Sequence, residues 1–164
     1  MSAKAGFPVE AHDWPYYAGQ VRAAEYDVDL AALRPWFEAE RVLQDGVFFA
    51  ANRLYGLTFA ERPDLDGYHP GVRVFEVHQD GDPIGLYLLD LYTRDSKRGG
   101  AWMSSFVSQS ALLGIDTAVV YNNLNVPKPA PGEATLLTYD ETRTLFHEFG
   151  HALHGLLALS LIHI

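Results

Sequence analysis

The chain has 164 residues, 48% of them hydrophobic and 20% charged, so it is globular in character and long enough for one modest core. A formal net charge of −9 argues against a nucleic-acid partner, because phosphate binding wants clustered Lys and Arg. Cysteine is absent, so disulfides and thiolate ligands are excluded and any metal must be held by nitrogen and oxygen. Met1 to Val9 lacks the basic and apolar regions of a signal peptide, and no apolar run reaches membrane length. The expectation is one cytoplasmic domain over residues 1–164, with no membrane partner.

In chain order the pattern is α+β, without internal repeats. Asp13 and Pro15 start a helix that leads through Val21 and Ala24 to about Tyr26, and Asp29 caps a short turn. A longer helix is predicted from about Pro35 to Tyr55, with Trp36, Leu43, Val47, Ala50 and Leu54 at near-helical spacing as a core face. Arg62 to Gly67 and His69-Pro70-Gly71 break regular structure. Val72 to Val77 and Ile84 to Tyr92 then form an antiparallel hairpin about a turn at Gln79 to Asp82. His78 and Asp90, at strand ends, and the Lys97-Arg98 pair, in a turn, read as solvated groups.

Trp102 to Val107 and Thr117 to Tyr121 are further strands. Asn122, Asn123 and Asn125 could hydrogen-bond a peptide, but read rather as residues that fix the Pro-rich turn from Val126 to Gly132. Thr138-Tyr139-Asp140-Glu141 is a capping box that opens a helix to about Leu157.

That last helix carries His147-Glu148-Phe149-Gly150-His151, an H-E-x-x-H signature. In a random chain of this composition the signature would arise with a probability of about one to two per cent. Residues four apart share a helix face, so His147 and His151 can hold one zinc ion, with Glu148 beside it to take a proton from a zinc-bound water. Leu145, Phe149, Ala152, Leu153 and Leu156 gather on the opposite side, where they can be buried.

A catalytic zinc takes three protein ligands. The metzincin spacing would need glycine at position 154 and histidine at 157, but His154 and Leu157 stand there. His154 lies about 10 Å along the helix from His147, too far to share the ion, and reads as a cleft or supporting residue. The remaining option is a Glu on a later helix, expected to lie outside this chain. Gly99, Gly100 and Ala101 are candidates for substrate binding, because small residues let a peptide backbone approach an edge strand beside the zinc helix.

Three runs in order, Lys97-Arg98-Gly99-Gly100-Ala101-Trp102-Met103, Tyr121 to Pro129 and Thr144 to Gly155, closely resemble the M3 (thimet oligopeptidase) family of zinc peptidases. Asp13-Trp14-Pro15-Tyr16-Tyr17, Leu33 to Phe37 and Arg53 to Leu57 fit the same family. The resemblance spans about residues 12–157 and is closest to the bacterial peptidyl-dipeptidase branch.

It implies an α+β fragment of a mostly α-helical, zincin-like metallopeptidase: helices, a small antiparallel β region, then the H-E-x-x-H helix. It further implies cleavage of short peptides with release of C-terminal dipeptides, His147 and His151 as zinc ligands, and Glu148 as general base. A third ligand from a Glu on the next helix is implied as well. The alternatives are an endo-acting oligopeptidase of the same family, or an inactive truncated fragment that binds metal or peptide. Residues 158–164, including His163, are expected to be a non-native tail.

Overall fold

The computed structural model describes residues 6–25 and 29–158; Tyr26 and the residues from 159 onward, on which two of the expectations fall, lie outside them. Helix α1 is Trp14–Glu25, and a 3₁₀ turn follows at Arg34–Trp36. Helix α2 covers 39–55 in three joined pieces: an α-helical turn Ala39–Arg41, a π-helical stretch Val42–Phe48 and an α-helical end Phe49–Tyr55. The strands are β1 Leu57–Glu61, β2 Arg73–Gln79, β3 Asp82–Tyr92, β4 Trp102–Val107 and β5 Ala118–Val126; helix α3 is Tyr139–Leu157. No described helix is long and apolar enough to cross a membrane.

The second helix begins four residues later than its periodicity suggests. Pro35 belongs to the 3₁₀ turn, Phe37 leaves helical geometry, and extended Glu38 caps the new start by accepting from the backbone N–H of Glu40 at 3.0 Å and Arg41 at 2.8 Å. Trp36 and Leu54 are therefore exposed, at 66% and 72%, rather than in the core. The π-helical turn places residues five apart above one another, so Val42 and Val47 share the buried face with Leu43, Phe48 and Ala51. Gly56, at φ +71°, ends the helix in the left-handed conformation and turns the chain into β1, a strand missing from the sequence reading.

The expected antiparallel region is a five-stranded mixed sheet of order β1-β2-β3-β5-β4. β2 and β3 form the predicted hairpin, with Asp80-Gly81 between them. β4 passes to the outer edge before β5 returns to lie between it and β3, which leaves β5 parallel to β3 and antiparallel to β4. β5 also runs five residues beyond Tyr121, taking Asn122 to Asn125 into the sheet.

One face of the sheet receives α2 and α3. Tyr87, Phe75, Phe48 and Phe149 meet there with Leu145, Ala152 and Leu156 of α3. Phe48 stacks on Phe59 at 4.0 Å between ring centroids, and Tyr87 meets Phe149 edge-on at 5.3 Å. Burying each such side chain stabilises the fold by about 1.5–3 kcal/mol. Gly85 permits the closest approach: a Cβ there would lie 2.5 Å from the Ala118 carbonyl oxygen and 2.9 Å from Leu156 Cδ2. Val72, Val74 and Leu88 form a smaller cluster with Leu86, Val119 and Tyr121.

Candidate active site

Helix α3 starts on the predicted capping box. Thr138 Oγ1 accepts from the Glu141 backbone N–H at 3.1 Å, and the Glu141 carboxylate accepts from the Thr138 N–H at 2.7 Å. From that fixed start the helix buries Leu145, Phe149, Ala152 and Leu156 and turns His147, His151 and His154 outward. Glu148 falls between the two faces and is buried, at 8% exposure.

The Nε2 atoms of His147 and His151 stand 3.2 Å apart, with their rings edge to face. Two Zn–N bonds of about 2.0–2.1 Å at a tetrahedral angle set their nitrogens ~3.3–3.4 Å apart, so the pair fits a zinc ion with little adjustment. Among the described residues, no third His, Cys, Asp or Glu joins them.

A cleft of about 570 Å³ lies along this side of α3, lined by Glu148, His151 and His154 from the helix and by Ala101, Met103 and Ser105 from the β4 side. β4 pairs only with β5 among the described strands, so its outer edge is open beside the helix. Ala101 reaches the cleft wall, whereas Gly99 and Gly100 are not part of it. The carbonyls of Arg98 and Gly100 instead accept from Asn125 Nδ2 at 2.9 and 2.8 Å, which ties the glycine turn to β5. Ser108 and Gln109, absent from the sequence reading, complete the polar wall, and Gln109 Nε2 donates to the Leu156 carbonyl at 2.7 Å.

Four polar positions differ from expectation. Asn122 and Asn123 are buried strand residues rather than loop residues, and Asn122 Nδ2 donates to the backbone carbonyl of Glu148 at 2.7 Å. Asp90 is buried at 1% exposure, and its carboxylate accepts from Nη1 and Nη2 of Arg94 at 2.8 Å each, from Tyr68 Oη at 2.8 Å and from Lys97 Nζ at 3.0 Å. Burial alone would raise the Asp90 carboxyl, but the hydrogen bonds from Arg94, Tyr68 and Lys97 outweigh it and hold the group below the ordinary aspartate range.

Lys97 is likewise no solvated turn residue: its ammonium is buried and also donates to the carbonyls of Asp90, Tyr92 and Leu124. The Lys97 side chain and Asn125 thus fasten the segment that delivers the chain into β4. His78 stays partly exposed near Glu76, 3.6 Å away, and takes no part in the cleft.

The model of peptidase family M3 matches residues 2–162. The chain is 51% identical over 156 residues to the dipeptidyl carboxypeptidase of Salmonella typhimurium, covering 94% of this chain and 23% of that protein. The Escherichia coli dipeptidyl carboxypeptidase is 51% identical over 154 residues, covering 93% of the chain and 22% of the relative. Oligopeptidase A of Escherichia coli is 41% identical over 161 residues, 94% of the chain and 24% of the relative. The chain thus spans about a quarter of the length of these curated relatives. With a match over nearly its whole length, the chain belongs to peptidase family M3.

Proposed function

We propose that this chain carries the H-E-x-x-H part of a zincin-like, zinc-dependent peptidase that acts on short peptides in the cytoplasm and releases C-terminal dipeptides. The observation that carries the proposal is the placement of Glu148, His151 and the open β4 edge around one cleft, with the Nε2 atoms of His147 and His151 spaced for zinc. His147 and His151 would hold the metal, and a third ligand would come from beyond the described residues. When bound, zinc supplies a Lewis acid for the scissile carbonyl and a field that acidifies water.

The protein's own residues supply the rest. The β4 edge offers backbone groups to an extended peptide, so recognition depends little on the peptide's side chains. The Glu148 carboxylate takes a proton from the attacking water as its oxygen bonds to the carbonyl carbon. The same carboxyl returns that proton to the amine nitrogen as the C–N bond breaks, which balances the hydrolysis. The higher identity to dipeptidyl carboxypeptidases than to oligopeptidase A favours dipeptide release over endo-cleavage.

Zinc-loaded protein should release dipeptides from peptides with free C-termini and leave C-terminally amidated ones uncut. Glu148→Gln should lower kcat by at least ~100-fold while zinc stays bound. Equal cleavage of both peptide sets would point to endo-cleavage, and near-normal turnover by Glu148→Gln would remove Glu148 from the role of base.

A further inference from the structure

The helix-facing side of β5 reads Val120, Asn122, Leu124, Val126, an apolar run broken at one position. Asn122 is fully buried there, with Leu89 of β3 and Met103 of β4 as its cross-strand partners. An apolar side chain of the same shape would suit that slot, and the Asn122 Oδ1 has no hydrogen-bond partner among the described residues. Its Nδ2, however, donates at 2.7 Å to the carbonyl of Glu148, 26 residues away in sequence. A departure from pattern at a cost to the core marks a place where function constrains the fold.

We propose that Asn122 is a positioning residue: it pins the Glu148 turn of α3 to the interior strand β5 and so sets the Glu148 carboxylate against the β4 edge, where a peptide would lie. The proposal rests on the peptidase reading of Glu148. The geometry supports it in two ways. The bond is made at the backbone of Glu148 itself, the residue between the two histidines. It also starts from the strand next to β4, so helix and edge strand are referred to the same strand. Without the tether, α3 would still be held by its apolar stripe, but its rotation and axial position over β5 would be looser. A misplacement of that kind lowers turnover far more than substrate binding.

The test compares the 164-residue chain with Asn122→Leu, which keeps the branched shape with bulkier methyl ends and removes both the donor and the orphaned acceptor, and with Asn122→Ser, a smaller polar control in case the leucine variant does not fold. Zinc-dependent hydrolysis of a short peptide is measured together with native-state hydrogen exchange of the α3 amides. With Asn122→Leu, kcat should fall roughly 10- to 100-fold while KM moves less than about threefold and the thermal midpoint does not drop. Amides of residues 149–152 should exchange at least ~10-fold faster, while those near Leu145 stay protected.

Unchanged kcat in a variant that folds would overturn the positioning role, as would a loss explained wholly by KM. If the unsubstituted chain shows no zinc-dependent hydrolysis, the 164 residues do not form a complete peptidase site by themselves. Exchange then decides the tether alone: faster exchange confined to 149–152 supports it, and an unchanged pattern overturns it.

Discussion

Glu148 and Asp90 are both buried carboxylates, yet only one was recognisable from its neighbours in sequence. The helical periodicity of residues 138–157 is local, so the shared outward face of His147 and His151, with Glu148 beside it, could be read directly. Asp90 finds its partners through sheet and loop geometry: Tyr68 lies 22 residues away, and Lys97 folds back over the strand end to reach it. A single polar residue at a strand end carries no signal of such company. Asn122 is similar, except that its position within an apolar alternation was a signal that its proximity to a Pro-rich turn obscured.

Because Asp90 is held below its ordinary range in the folded state, it contributes stability at neutral pH. That contribution is fully present above the unfolded value of about 3.9 and is lost as pH falls through the lower folded value. Asp90→Asn leaves the Lys97 ammonium buried without its carboxylate and should cost about 3–5 kcal/mol near pH 7. Urea midpoints from pH 7 down to pH 2.5 should show the gap between the two proteins closing on the acid side. A gap that stays constant with pH would mean that the Asp90 charge is not what stabilises the cluster.

At the scale of elements, the hairpin and the capped helix were legible because their signals lie within a few residues: a two-residue turn at Asp80-Gly81, and Thr138 with Glu141. The start of α2 was not, because Pro35 suits both the first turn of a helix and the 3₁₀ turn that it actually occupies. Nor does alternation alone order strands, so the edge position of β4 and the parallel pairing of β3 with β5 had to come from the structure. Glycine marks the tightest junction among these elements. Gly85→Ala would drive a methyl group to within 2.5 Å of the Ala118 carbonyl, a backbone atom that cannot rotate away. The substitution should destabilise the fold by about 1–3 kcal/mol, seen as a lower urea midpoint. An unchanged midpoint would show that β3, β5 and α3 are packed less closely than their spacing indicates.

For the whole molecule, the described residues bring together two histidines, one buried glutamate and an open strand edge. The curated relatives are about four times as long. A zinc site held by two histidines is weaker than one closed by a third ligand, but it remains selective for those two side chains. Chelator-competition titration of zinc into the 164-residue chain and into His151→Ala tests this most directly. One ion per chain, bound at least ~10-fold more weakly after the substitution, is the expected result. Zinc binding that is absent, or equally strong in His151→Ala, would contradict a metal centre on this face of α3.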